Sequence, residues 1–204
     1  MKKSFLHIGC GQNTKSDTTN GFKSDLWDEK RVDINPDVSP DIVADMLDMS
    51  MISSSSVDAV FSSHNLEHLY PYQVQIALKE FYRVINDLGF IVITCPNLKP
   101  LGKFLSEDKA LDTLYESPAG PITAIDVLYG FRPSLAMGNH YMAHRCGFTK
   151  TILVSSLNEA SFKSTAAIER DAPFFDLWVI ASKQTLEKEK LLNMVRDHFP
   201  IKVP

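Results

Sequence analysis

Apolar residues in this chain gather in short unbroken runs, each stopped by a glycine, a proline or a polar turn. Phe5 to Ile8 is the first, ending at Gly9. KRVDINP (residues 30–36), PDIVADML (40–47) and VDAVFSS (57–63) follow, and FIVITC (90–95) is apolar almost throughout. Runs this short, filled on both sides, predict strands buried on both faces. Between the last two, Val74, Ile76, Ala77, Phe81, Tyr82 and Ile85 recur at mixed three- and four-residue spacing. That periodicity predicts an amphipathic helix over 72–85, closed near Asp87 and Gly89. Buried strands alternating with helices predict an α/β fold with a mostly parallel sheet and helices on both faces.

The rhythm breaks over 98–148, which holds five of the nine glycines. FLSEDKALDTLY (104–115) and ITAIDVLYG (122–130) read as short helices, and 131–147 as loop. Regularity returns with a helix over 149–159, strands over 162–170 and 174–183, and a helix over 185–199. The irregular block, 98–147, is expected to be a substrate-facing insertion after strand five of a single domain spanning 1–204. Loop-rich stretches of this kind carry specificity.

The glycine pair Gly9-Cys10-Gly11 directly after the first strand lets a ligand approach the backbone. A dinucleotide fingerprint needs a third glycine, and Thr14 stands there, so an NAD enzyme is disfavoured. The following QNTKSDTTNG is a poor helix start and offers no pyrophosphate cradle. A nucleoside without a pyrophosphate suits the loop better. Asp33 ends the second strand, and its carboxylate can accept both hydroxyls of a ribose. Asp45 ends the third strand and can accept an exocyclic amine, while Ile34 and Met46 can sandwich a purine. Ser63 and His64 follow the fourth strand. Read alone, each is an ordinary turn, cap or core residue. Together they lie at consecutive strand ends, the edge where open α/β sheets bind ligands.

His64-x-x-Glu67-His68 has the spelling of an inverted zinc-peptidase motif. Such a motif needs a long helix. Here it starts at a strand end and Pro71 cuts it short, so no metal set is assigned. His140 and His144 could complete a metal site only from a loop.

The segments LHIGCG, VDINP, PDIVADMLDM, VDAVFSSHNLEHL and EFYRVINDLGFIVITCPN occur in that order. With these motifs the chain resembles the class I S-adenosylmethionine-dependent methyltransferases, in their small-molecule type 11 branch. The likeness is specific over 5–97, weaker over 148–183 and absent over 98–147. It implies a Rossmann-like sheet of seven strands, the last antiparallel, and S-adenosylmethionine as cofactor. It also implies that Gly9, Cys10 and Gly11 pass under the methionine part of the cofactor and that Asp33 takes the ribose. Ile34, Asp45 and Met46 would then contact adenine, and Ser63 and His64 would stand beside cofactor and acceptor. Glu67 and His68 match a recurrent pair of the branch. The chain departs from the pattern at His7, where an acid is common, at Asn13, and in a degraded first crossover helix. The family's N-terminal helix has no counterpart, so the insertion or a second subunit is expected to close over the cofactor.

If the acceptor is a hydroxyl, a histidine is the natural general base. His64 is the first candidate, then His68, His140 and His144, with Tyr129 and Tyr141 shaping a pocket. The expected partner is a small-molecule methyl acceptor. A net charge of −4 and the absence of an Asn/Asp-Pro-Pro-aromatic motif argue against nucleic acid. No stretch approaches 18 apolar residues, which argues against a membrane span. Three cysteines without a CxxC pair point to a reducing, cytoplasmic setting. The C-terminal helix has an apolar side that could pack on the domain or form a homodimer. A non-catalytic S-adenosylmethionine-binding protein and a zinc hydrolase are the competing readings.

Overall fold

The computed structural model describes residues 2–200. Its main sheet has seven strands in the order β3-β2-β1-β4-β5-β9-β8. β1 (Lys3–Ile8), β2 (Trp27–Asp33), β3 (Ile42–Val43), β4 (Val57–Ser63) and β5 (Ile85–Pro96) run parallel. β9 (Asp176–Ser182) lies antiparallel between β5 and β8 (Ser164–Arg170). The seven-stranded, mostly parallel fold expected from the sequence is therefore present.

Side-chain alternation along the strands builds two cores. Leu6, Val60, Ile91, Ile93 and Val179 point to one face. There α2 (Pro71–Val84) buries Val74, Ala77, Leu78 and Phe81, and α6 (Lys150–Glu159) buries Leu153 and Leu157. Phe5, Ala59, Phe61, Val92 and Ile180 point to the other. Among the described residues that face has no crossover helix of ordinary length. Between β1 and β2 the chain makes only a short 3-10 turn and the four-residue α1 (Asn20–Lys23). Aromatic side chains fill the space instead. Phe22 stacks on Phe5 at 4.3 Å between centroids and meets Trp27 edge-on at 5.0 Å. Burying one such ring contributes about 2 kcal/mol, and each favourable aromatic pair adds about 1 kcal/mol. The C-terminal α7 (Lys188–His198) covers the cluster, so within the chain its apolar side is met by the domain itself.

Several boundaries differ from expectation. α2 ends at Val84 and passes straight into β5 through an extended Ile85, so neither Asp87 nor Gly89 caps it. The third strand shrinks to two residues because the chain turns away at Asp45. Residues 104–115 are not one helix. α3 (Leu98–Ser106) starts earlier, capped by Asn97, and β6 (Thr113–Ser117) pairs with β7 (Gly120–Thr123) in a separate hairpin. α4 (Ala124–Tyr129) falls inside the expected 122–130 helix. Within the expected loop 131–147 lie a short α5 (Arg132–Ala136) and a 3-10 turn at His140–Met142. Leu101, Ile122, Ala124 and Val127 give this segment a small core of its own.

At the centre of the sheet, one side-chain amide extends the β1–β4 ladder past the strand ends. Asn65 Nδ2 donates to the Ile8 carbonyl at 2.9 Å and lies near the Ser63 carbonyl (3.1 Å) and Ser62 Oγ (3.2 Å). Gly9 makes room for it. A Cβ on Gly9 would sit 2.0 Å from Asn65 Oδ1, and its φ of +62° is left-handed. Gly11 is also left-handed but has open space around its Cα. Gly9→Ala should therefore cost about 3 kcal/mol and Gly11→Ala about 1 kcal/mol, measured by urea unfolding. Equal costs would show that Asn65 moves aside freely.

His198 tests the other face. It is 5 % exposed, hydrogen-bonds Thr19 Oγ1 through Nδ1 at 2.6 Å and packs on Phe22. Burial lowers its pKa to about 4. In the unfolded chain the proton binds near pH 6.5. Between these values the unfolded state holds more protons, so stability present above pH 6.5 is lost as pH falls toward 4. From pH 7 to pH 5 this group should remove about 2 kcal/mol. His198→Gln should remove that share of the pH dependence in paired urea titrations.

Candidate active site

The C-terminal ends of β1, β2, β3 and β4 open into a cavity of about 490 Å³. It is lined by Gly9, Cys10, Gly11, Asp33, Ile34, Asp45, Met46, Ser63 and His64, every residue selected from the sequence for the cofactor. Each is placed by a local rule. Gly9 N donates to the Val32 carbonyl at 2.8 Å, continuing the β1–β2 ladder one step past the strand. Asp33 Oδ2 accepts from Gly11 N at 2.8 Å and Oδ1 accepts from Asn35 N at 2.9 Å. Each oxygen thus spends one acceptor site and keeps another for a ligand hydroxyl. Asp45 Oδ1 accepts from Leu47 N at 2.9 Å, holding the turn after β3. Ser63 Oγ pairs with Thr94 Oγ1 at 2.7 Å. Cys10 is buried, and burial pushes its thiol pKa up, so it is a wall and not a nucleophile.

Two departures from the family pattern are compensated within the fold. At His7, Nδ1 meets Glu29 Oε1 at 2.7 Å, so β2 supplies the carboxylate that the first strand lacks. Burial lowers the His7 pKa against the pull of Glu29. Glu29 Oε2 accepts in turn from Lys15 N at 2.8 Å. Near Asn13, Arg31 reaches the carbonyls of Gly11 at 2.6 Å, Asn13 at 3.0 Å and Ser39 at 2.9 Å. One guanidinium fixes the loop that a helix N-terminus would ordinarily fix. Arg31 and Glu29 stood outside the sequence motifs, and Asn65 lay inside one without a role of its own.

A second cavity, of about 320 Å³, lies beyond His64, His68 and Met142, which line both. Its other walls are mainly apolar, among them Tyr115, Ile122, Val127, Phe131, Phe174 and Phe175, with Glu67, His144 and Asp126 as polar members. Asp126 is already committed. Burial works against its charge, but Arg132 and Thr123 hold it well below the usual carboxylate range.

His64 sits in the left-handed region with φ +56°, its N–H bonded to the Thr94 carbonyl. A non-glycine residue there is uncommon. The ring is 51 % exposed, and Nδ1 lies 3.3 Å from Glu67 Oε1. Burial pulls the His64 pKa down, and the Glu67 carboxylate more than offsets it, leaving the pKa raised. For Glu67, burial pushes the pKa up and the neighbouring imidazoles bring it below the ordinary value. Glu67 is 1 % exposed, and neither of its oxygens receives a properly directed hydrogen bond. The His64-x-x-Glu67-His68 string lies in a 3-10 turn over Leu66–His68, not a long helix. The structure brings His64, His68 and His144 together, with the last two rings 5.0 Å apart. It leaves His140 and Tyr129 outside both cavities, while Tyr141 and Arg145 line the larger one. The burial of Glu67 was invisible in a motif read for its histidines. Phe174 and Phe175 come from a turn between the last two strands, far away in sequence.

The profile of a methyltransferase-domain family matches residues 6–93. No curated protein matches the chain in sequence. Among solved structures, a SAM-dependent methyltransferase from Archaeoglobus fulgidus is similar with a TM-score of 0.54 and 17 % identity, over 88 % of this chain and 86 % of that one. One from Methanosarcina mazei gives 0.58 and 15 %, over 90 % and 94 %. The 1,6-didemethyltoxoflavin-N1-methyltransferase of Burkholderia thailandensis, solved with 1,6-didemethyltoxoflavin and S-adenosylhomocysteine bound, gives 0.53 and 13 %, over 90 % and 72 %. At these identities the structures speak for the fold, and the family profile speaks for the chemistry. Residues 6–93 thus match a methyltransferase-domain family, and the fold around them is that of S-adenosylmethionine-dependent methyltransferases.

Proposed function

We propose that this enzyme methylates a hydroxyl or amine of a small, largely apolar molecule. The observation that carries the reading is the pair of adjoining cavities with a common wall of His64, His68 and Met142. The larger suits S-adenosylmethionine: Gly9 and Gly11 expose backbone, Asp33 keeps free lone pairs, and Ile34 and Met46 offer apolar faces. When bound, the cofactor supplies an electrophilic methyl group on its sulfonium. The chain's own work is then to hold an acceptor in line with that methyl, which is catalysis by proximity and orientation. The smaller cavity would hold the acceptor, its aromatic walls supplied largely by residues 98–147 and the β8–β9 turn. In this reading 1–204 is one domain and 98–147 its acceptor-facing insertion.

His64 is the proposed general base. It lies on the common wall, and the Glu67 carboxylate beside it favours the imidazolium that proton transfer would form. His68 and His144 flank it, and His140 takes no part. The mainly apolar lining and a net charge of −4 favour a small molecule over nucleic acid. No helix among the described residues is long and apolar enough to cross a membrane. The three free cysteines suit a reducing, cytoplasmic setting. A homodimer is part of the proposal only as a source of cover for the cofactor.

Isothermal titration with S-adenosylhomocysteine tests the cofactor half. Micromolar binding is expected, weakened roughly 10- to 100-fold by Asp33→Asn, which loses charge-assisted hydrogen bonds to the ribose. Full affinity in that variant would remove Asp33 from the site. A release assay for S-adenosylhomocysteine over a panel of small phenols and amines tests the acceptor half. With an acceptor in hand, His64→Ala should lower turnover by about 100-fold, far more than it weakens cofactor binding. Unchanged turnover would take the base role from His64.

A further inference from the structure

Glu67, His68 and His144 bring one carboxylate oxygen and two imidazole nitrogens within 4.8 Å of one another. Glu67 and His68 stand in the turn after β4, and His144 comes from the far end of the 98–147 segment. Methyl transfer by alignment needs no such cluster. Its own geometry says what it is built to hold.

The carboxylate comes first. Glu67 is 1 % exposed, and neither oxygen receives a directed hydrogen bond, although His64 Nδ1 lies 3.3 Å from Oε1. Burying a carboxylate without a strong partner costs several kcal/mol. The nearby guanidinium groups are engaged elsewhere: Arg132 binds Asp126, while Arg145 binds the His68 carbonyl and lies over the Tyr70 ring. The imidazoles come second. His68 Nδ1 is 3.2 Å from the Ala143 carbonyl, and His144 Nδ1 is 2.8 Å from the Val127 carbonyl. A carbonyl oxygen only accepts, so Nδ1 carries the proton in both rings and each Nε2 presents a lone pair. A backbone carbonyl behind each histidine is the arrangement that orients metal-ligating imidazoles. The scaffold comes third. Arg145 N and Cys146 N both donate to the Glu67 carbonyl, at 2.8 and 3.2 Å, so the two elements are pinned backbone to backbone.

We propose that Glu67, His68 and His144 form a binding site for a first-row divalent cation, with zinc(II) as its representative, on the wall of the smaller cavity. Two imidazole nitrogens and one carboxylate oxygen suit such ions and not magnesium or calcium, which take oxygen ligands. Ligand bonds of ~2.1 Å put tetrahedral ligand atoms ~3.4 Å apart, so small side-chain rotations close the cluster. The site differs from the peptidase pattern spelled by the same letters. There both histidines of the motif are ligands; here His64 stays outside and a distant histidine replaces it.

Three protein ligands leave a coordination position free for the acceptor. This role, unlike the site itself, rests on the methyl-transfer reading. It names an acceptor class: molecules whose reactive hydroxyl ligates the ion. Coordination lowers the hydroxyl's pKa. Its proton passes to His64 and on to solvent, the oxygen forms the new bond to carbon, and the electron pair of the broken C–S bond stays on sulfur.

The test uses the full chain, stripped by a chelator and titrated with zinc(II) against a chromophoric competitor, with cobalt(II) absorption as a second readout. One ion per chain should bind with micromolar or tighter Kd. His144→Ala, which leaves the larger cavity's lining intact, should weaken binding by roughly 100-fold or more; Glu67→Gln should do the same. His140→Ala, another loop imidazole, should change nothing. S-adenosylhomocysteine titration of the same samples reports folding and the cofactor site separately. Cofactor binding without stoichiometric zinc, or zinc binding indifferent to His144→Ala, overturns the metal site alone. Zinc binding without cofactor binding leaves the site standing and overturns the cofactor reading.

Discussion

The side-chain amide of Asn65 is the contact on which the arrangement of this enzyme depends. It bonds the last carbonyl of β1 from a turn that belongs to β4, and it occupies the space that a Gly9 side chain would need. In the strand order, β1 and β4 are the neighbours between which the chain reverses its direction of growth across the sheet. At such a reversal the connections leave to opposite sides and a crevice opens. The amide keeps the strand ends together while the backbones turn apart. The glycine loop then runs to one side and His64 to the other. Both cavities inherit their positions from that parting.

The chain replaces several family devices by side chains of its own. Aromatic stacking around Phe22 stands in for a crossover helix. The Arg31 guanidinium fixes the glycine loop through carbonyl oxygens, where a helix would fix it through its own ladder. Glu29 supplies from β2 the acid missing from β1. The first two exchange a repeating backbone element for a specific side-chain contact, and the third moves one carboxylate to a neighbouring strand. A backbone element tolerates sequence change along its length, and these contacts do not.

What the sequence revealed follows the same division. Apolar runs bounded by glycine and proline marked β1, β4 and β5, whose burial on both faces shows along most of their length, whereas β2 is largely open to solvent and runs Trp27–Asp33 rather than over 30–36, and β3 is cut to two residues. The residues of the larger cavity that the sequence singled out were legible because they stand at or just past strand ends, one of the few places where sequence position and spatial position coincide. Asn65, Arg31 and Glu29 were not legible. Their partners are backbone carbonyls and N–H groups, or residues on another strand, and such partners leave no pattern. The β6–β7 hairpin was misread as helix because the polar run before Leu114 carries no strand alternation. Glu67 was in plain view, but only the fold shows that its carboxylate is buried among imidazoles.

The tether between Glu67 and the 143–148 stretch also bears on how this scaffold could change the smaller cavity. Arg145 N and Cys146 N bind the Glu67 carbonyl, Cys146 Sγ reaches the Leu66 carbonyl, and Phe148 pairs with Asn97. The intervening residues are thereby stitched to the sheet at both ends of their excursion, with a small core of their own between the stitches. Such a segment is a cassette. Exchange of residues 99–142 for another sequence of different length would redraw much of the smaller cavity's wall, together with Tyr141 and Met142 of the larger, and leave the seams intact. A cut made inside 143–148 would unpick the Leu66–His68 turn beside His64, on the wall that the two cavities share.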